Sequence, residues 1–270
     1  MRRIRLTGGE PLLRRGVVGL VDRLARHVAA GRLDEVTLTT NGTRLAALAA
    51  PLRAAGLTRV NVSLDSLSPA VFRRVTGGGD LGAVVEGVFA ARAAGLAVRI
   101  NAVALRGVVE HEVDRLIAWC GAHGFALSLI EPMPFGGAGG CRTAAPLPLD
   151  SLRAALAARW TLRPDPVGSA GPARYVTVAE TGGRLGFITP LSHAFCHSCD
   201  RVRVSATGRL FPCLGHDRSV DLKPALRVGG CDLRLDAAIR AAVARKPARH
   251  PFSLDAAGDG PMRAMNVTGG

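Results

Sequence analysis

Between residues 2 and 131, short runs rich in β-branched residues alternate with alanine-rich amphipathic stretches. The runs are "RRIRLT" (2–7), "EVTLTT" (35–40), "RVNVSL" (59–64), "AVRINAVAL" (97–105) and "ALSLIE" (126–131). Helical periodicity falls between them, at Val17–Ala30, Leu45–Ala55, Leu81–Ala94 and Glu110–His123. A tight turn joins antiparallel strands, whereas parallel neighbours need a crossover about this long, usually a helix. The alternation therefore predicts βα units around a parallel sheet, as an α/β partial TIM barrel or an open sheet. Chemistry in such sheets gathers beyond the C-terminal ends of the strands. Those ends read "TGGEP", "TTNG", "SLDS", "NAVAL" and "IEPMP", so polar and glycine-bearing turns are expected at one mouth.

After "IEPMPFGGAGG" the period is lost. A helix is expected at Leu149–Trp160, followed by a linker "RPDPVGSAGP" and strands at Tyr175–Val178 and Leu185–Ile188. A hairpin Val202–Ser205/Leu210–Cys213 turns at "ATG", and a helix near Asp232–Arg245 precedes a glycine-rich tail. Two domains are expected, a βα core over 1–145 and a C-terminal region over 146–270. No run approaches eighteen apolar residues, which excludes a membrane-spanning helix. The basic start develops no apolar signal-peptide core, so the cytoplasm is the expected compartment. The net charge is +14, yet all but two of the 35 basic residues, Lys223 and Lys246, are arginines scattered along the chain. That distribution reads as compositional bias rather than a nucleic-acid surface, and a polyanionic small substrate fits it equally well.

In a reducing compartment, six cysteines read as metal ligands or bystanders before disulfides. Cys120 and Cys141 stand alone. Cys196, Cys199 and Cys213 form C-x2-C-x13-C, two thiols on one turn and a third from the far strand of a hairpin. Zinc would need a fourth ligand, for which Cys231, His193, His197 and His216 are candidates. A three-thiolate iron–sulfur cluster would instead leave one iron open. Arg201 and Arg203 alternate beside the thiols, so both are expected on one side of a strand, where two guanidiniums suit a phosphate. At the first strand end, Gly8 and Gly9 let backbone approach a ligand, and Glu10 offers an acceptor for a ligand ammonium.

Taken in order, these motifs resemble the radical S-adenosylmethionine enzymes, and more narrowly the GTP 3',8-cyclase family of molybdenum cofactor biosynthesis. The resemblance runs through "RLTGGEPLLRR", "LTTNGTRL", "VNVSLDSL", "VRINAVALRG", "LIEPMP", "GFITPLSHAFCHSCDRVRVSATGRLFPCL" and the terminal Gly-Gly. It implies that Cys196, Cys199 and Cys213 hold a [4Fe-4S] cluster whose open iron receives the guanine of GTP. It further implies GTP contacts from Arg5, Thr39, Arg99, Arg201, Val202 and Arg203, and S-adenosylmethionine contacts from Gly9, Ser63 and Met133. The tail Gly269-Gly270 would reach into the active site. The implied reaction yields (8S)-3',8-cyclo-7,8-dihydroguanosine 5'-triphosphate: a 5'-deoxyadenosyl radical takes the ribose 3' hydrogen, and the sugar carbon attacks C8 of guanine. A homodimer and a downstream cyclic pyranopterin monophosphate synthase are implied as partners.

The chain departs from that pattern in places. The family carries a C-x3-C-x2-C segment upstream of "TGGEP", whereas Met1 stands six residues before Thr7. The expectation is therefore a chain lacking the N-terminal cluster ligands and inactive as it stands. Arg99 replaces a lysine, Ser128 stands where the family has arginine, and "PFGGAGGC" differs from the usual loop. The rival expectations are a radical S-adenosylmethionine enzyme that modifies a peptide and carries an auxiliary cluster, and a non-catalytic zinc- or GTP-binding paralogue.

Overall fold

In a computed structural model, the structure describes residues 1–135, 147–167, 171–227, 232–252, 263 and 265–268. The five expected strands form as β1 (Arg3–Leu6), β2 (Glu35–Thr40), β3 (Arg59–Ser63), β4 (Ala97–Val103) and β5 (Ala126–Ile130). Each lies parallel to the next. Between them run α1 (Val17–Ala29), α2 (Leu45–Ala54), α3 (Pro69–Thr76), α4 (Leu81–Ala93) and α5 (Val109–His123). No expectation covered α3. It starts with Pro69 in its first turn and stops at Gly77, whose φ of 70° is left-handed, the usual proline-in, glycine-out signature of a helix.

Beyond α6 (Leu149–Ala157), the chain adds β6 (Leu162–Pro164), β7 (Arg174–Val178) and β8 (Arg184–Ile188). β8 joins β5 in parallel, and β7 and β6 follow antiparallel. The sheet order is β1-β2-β3-β4-β5-β8-β7-β6. It is an open mixed sheet rather than a closed barrel, in keeping with the partial barrel expected. β6 occupies the start of the expected linker, with Pro164 ending an edge strand, where a missing N–H costs no ladder bond.

Compactness groups Met1–Pro132 with Ala144–Thr189 as one unit, and Met133–Thr143 with Pro190–Gly270 as another. The described residues from 147 to 189, expected with the C-terminal region, thus group with the βα core, because β8 extends its sheet through β5.

In the first unit, one sheet face packs against helices. It presents Leu38, Val60, Val62, Ile100, Leu127, Leu129 and Leu185, each at most 1% exposed. Burying one such leucine contributes about 1.5–3 kcal/mol, so this face supplies most of the unit's cohesion. Polar anchors then fix the loops that the strands feed. Asp80 caps α4 by accepting from the Gly82 amide (2.8 Å), a cap of about 1 kcal/mol. Buried Glu112 on α5 accepts from Ser66 Oγ (2.8 Å) and the Leu67 amide (3.0 Å). Those bonds hold the turn after β3 in place.

The second unit is smaller. β9 (Arg203–Val204), β10 (Arg209–Phe211) and β11 (Val220–Asp221) form an antiparallel sheet. With α7 (Lys223–Arg227) and α8 (Asp232–Ala244), they enclose a core of Leu210, Leu222 and Ala242. Among the described residues, no helix is long and apolar enough to cross a membrane. Cys141, Cys231 and the tail Gly269-Gly270 lie outside the described residues.

Candidate functional site

A parallel sheet covered by helices on both sides reads as apolar on both faces. Here the face opposite the leucines is polar. In-register partners share a face, and the register sets Arg5 beside Thr37, Thr39 beside Asn61, Asn61 beside Arg99, and Asn101 beside Ser128. Three of the sequence-predicted residues, Arg5, Thr39 and Arg99, therefore stand on one surface of the first unit.

Several of these polar groups are deeply buried. Asn61 is 1% exposed and Ser128 is fully buried. Asn61 Nδ2 donates to Thr39 Oγ1 (3.2 Å), while Asn61 Oδ1 and Arg99 Nε have no hydrogen-bond partner. An unmet buried polar atom costs about 1–3 kcal/mol, and such atoms concentrate where a ligand completes them. Burial lowers the pKa of Arg99, with Arg59 and Arg184 adding to the shift and Tyr175 and Glu35 opposing it. A desolvated guanidinium with an open N–H is a receptor for an anion.

Tyr175 organises this end of the face, and no sequence signal had marked it. Arg99 lies over its ring at 5.3 Å and Arg184 at 4.4 Å, while its hydroxyl meets Ser128 Oγ at 3.2 Å. The ring crosses Gly186, where a Cβ would come within 2.7 Å of it. Arg184 is in turn held by Asp165, whose side chain is 2% exposed. The arginine absent at Ser128 thus has a neighbouring guanidinium on the same face, supplied by β8.

At the strand ends, Glu10 acts as a clamp. Its Oε1 accepts from the Leu12 amide (2.9 Å) and Thr40 Oγ1 (2.7 Å), and its Oε2 from the Asn41 amide (2.7 Å). The expected ammonium acceptor is therefore already the tie between "TGGEP" and "TTNG", with one lone pair of Oε2 left over. Gly9 and Ser63 are exposed at these ends. A Cβ at Gly9 would meet no atom within 4 Å, so packing does not demand glycine there and the space is open to a ligand. Met133, half-buried, belongs to the second unit.

The second unit carries the cysteine triplet. Cys196–Ser198 forms a 3-10 turn closed by the Cys199 amide on Cys196 O (3.1 Å), which presents two thiols from one bend. Cys213 follows β10. All three are free and half-buried, and Cys196 and Cys199 border a hollow of about 650 Å³ together with Lys246 and Arg249. Burial pushes the Cys199 thiol up, but bonds from Arg201 and the charges of Arg201 and Lys246 outweigh it, so its pKa falls below the ordinary thiol value. Depressed thiol pKa values belong to metal-binding and reactive cysteines.

Among the described residues, no three His, Cys, Asp or Glu side chains converge as they would on a single ion. Of the zinc candidates, His193, His197 and His216 join no such group among the described residues, and Cys231 lies outside them. A cubane binds its thiolates on different irons and needs no such convergence, so three free, half-buried thiols, Cys199 among them with a lowered pKa, fit a cluster. One expectation needs correction. Arg201 lies before β9, not on it, so it does not alternate with Arg203 along a strand. Its guanidinium rests over Phe195 at 4.9 Å and beside Cys199, while Val202 packs on the small core.

Two family descriptions divide the chain: Radical SAM superfamily over residues 1–120, and Molybdenum Cofactor Synthesis C over 125–252. A GTP 3',8-cyclase of Rhodopseudomonas palustris (strain TIE-1) is 52% identical over 272 residues, covering 100% of this chain and 79% of the relative. The GTP 3',8-cyclase of Nitrobacter hamburgensis is 50% identical with the same coverage, and that of Brucella canis 49%. The chain belongs to the GTP 3',8-cyclase family. Radical S-adenosylmethionine enzymes, the superfamily of this cyclase family, use S-adenosylmethionine and an iron–sulfur cluster. The fold agrees: Streptococcus suis SuiB bound to S-adenosylmethionine superposes with a TM-score of 0.56 at 15% identity, over 81% of this chain and 52% of that one.

Proposed function

We propose that this chain acts on GTP as a 3',8-cyclase in molybdenum cofactor biosynthesis. The observation that carries the reading is the polar sheet face with its two unmet buried groups, Asn61 Oδ1 and Arg99 Nε. On that face, Arg5, Thr39 and Arg99 are assigned to GTP, Arg99 as the cation for its anionic end. In the second unit, Arg201, Val202 and Arg203 are assigned to GTP, and Cys196, Cys199 and Cys213 to a [4Fe-4S] cluster. Gly9, Ser63 and Met133 are assigned to S-adenosylmethionine, and Gly269 and Gly270 to the active-site tail. When bound, S-adenosylmethionine and the cluster supply the radical initiator and an open iron position for the guanine base. The chain's own residues bind, orient and exclude water, which is where positioned reactants gain most of their rate. A cytoplasmic homodimer feeding a cyclic pyranopterin monophosphate synthase completes the reading.

Anaerobic reconstitution of the chain with iron and sulfide, followed by calorimetric titration with GTP, tests it. Saturable GTP binding that depends on the loaded iron is expected. A chain that binds no GTP, or that purifies with one tight zinc and takes up no iron, overturns the assignment.

Tyr175→Leu probes the sheet face separately. It removes the ring under Arg99 while leaving Arg99 in place, a cation–π contact of about 1 kcal/mol. GTP should bind roughly fivefold more weakly in the same titration. Unchanged affinity would show that Tyr175 does not set the pose of Arg99.

A further inference from the structure

We propose that Lys246 is a positioning residue for the cysteine triplet, clipping the Cys196–Cys199 turn to the segment that delivers Cys213. The inference rests on the cluster assignment above and deepens it. Lys246 Nζ donates to Arg201 O at 2.6 Å, to Pro212 O at 3.0 Å and to Cys199 Sγ at 3.5 Å. An ammonium has three donors, and all three are engaged. Their acceptors come from two separate segments: Cys199 and Arg201 on one side, and Pro212, the residue before Cys213, on the other.

The clip falls where the backbone ladder gives out. The turn fixes the spacing of Cys196 and Cys199 by itself. Nothing in the turn fixes the third thiol, which is reached only through the hairpin. That hairpin pairs Val204 with Leu210 and Arg203 with Phe211 and then stops. β11 pairs with Arg209 and Leu210 of β10, one residue short of Phe211, so the third strand does not brace this end of the hairpin. Arg201 O precedes β9 and Pro212 O follows β10, both beyond the last pair, and a single cation bridges them. The spacing between the C-x2-C turn and Cys213 is therefore set by Lys246 rather than by the sheet.

The residue type supports this. Lysine is nearly absent from a chain rich in arginine, and the other lysine, Lys223, pairs with Asp221 at 3.8 Å. A guanidinium is a planar fork suited to carboxylates, whereas a compact ammonium converges on acceptors from several directions. The charge acts as well as the geometry. A cation beside a thiolate ligand stabilises the added electron of a reduced cluster, as outer-shell donors do at other metal sites.

The test uses the whole chain, reconstituted anaerobically, with Lys246→Met, Lys246→Arg and Cys213→Ser. Lys246→Met keeps the apolar stem and should lose iron to a chelator about 10–100-fold faster than wild type. The fraction still loaded should show a more negative midpoint potential, a readout that general support of the fold would not move. Lys246→Arg should hold the potential near wild type and still release iron faster, since it keeps the charge and loses the geometry. Equal iron retention and equal potential in Lys246→Met would overturn the proposal. So would a Lys246→Met chain that no longer folds without iron, because the role would then be general support. Wild-type protein that loads no iron, or that keeps it after Cys213→Ser, would instead sink the cluster assignment on which the clip depends.

Discussion

Cys213→Ser is expected to cut the iron and sulfide retained after anaerobic reconstitution by at least tenfold and to remove the iron-dependent part of GTP binding. The reason is arithmetic at the ligand set. Three thiolates already leave one iron open, and removing a third of them leaves a cluster held only by one turn. Stability should change little, because Cys213 is half-buried and lies outside the small core of Leu210, Leu222 and Ala242. Cys120→Ser is the matched control. Cys120 is buried in the leucine core, where desolvation pushes its thiol up to about 12, so it offers no thiolate near neutrality. Its replacement should lower the melting temperature and leave iron content unchanged. If the two variants exchange phenotypes, the triplet is not the cluster site.

The strands of the βα core were legible because each is short, rich in β-branched residues and bounded by polar turns. β2 forms over the residues of "EVTLTT", and even its polar alternation is visible, since Thr37 and Thr39 face away from Leu38. Arg99 was marked only through the family resemblance, by its place in "VRINAVALRG". Tyr175 and Arg184 were not marked at all. They reach Arg99 and Ser128 only because β8 pairs with β5, and that pairing bridges a long stretch of chain with no local pattern to announce it. The start of the expected linker, Arg163 and Pro164, became part of β6 because an edge strand tolerates proline, which composition alone reads as a break.

The second unit was legible in its thiols and opaque in their support. C-x2-C is a local pattern, so the turn could be anticipated from its spacing. The alternation assumed for Arg201 and Arg203 failed because β9 is only two residues long, and a strand that short orders no residue outside its ladder. Lys246 stood out only as one of two lysines, and nothing local tied it to the thiols. It follows α8, far along the chain from Cys199, and only the folded unit brings its ammonium between the two cysteine segments.

Gly87→Val should destabilise the first unit by about 3 kcal/mol, lowering its melting temperature by roughly 6–12 °C. Glycine inside a helix ordinarily costs up to about 1 kcal/mol relative to alanine, so propensity alone predicts the opposite sign. Close approach decides against propensity. A Cβ on Gly87 would lie 2.6 Å from Gly42 O and 3.0 Å from Leu45 Cβ, and a backbone carbonyl has no rotamer by which to yield. Gly42 itself has φ 83°, and a side chain there would strike Val84 and Val62, so the turn cannot retreat into the sheet. Displacing that turn also strains the Glu10 clamp, because the Gly42 amide bonds Thr40 Oγ1 at 3.0 Å and Thr40 in turn bonds Glu10. Gly19→Ala on α1 is the counterpart. A Cβ there meets nothing within 4 Å, so it should gain up to about 1 kcal/mol. Thermal melts of the two variants settle the matter: a stabilised Gly87→Val, or a Gly19→Ala that loses as much as Gly87→Val, would show that backbone contact between α4 and the β2 turn does not hold this strand end in place.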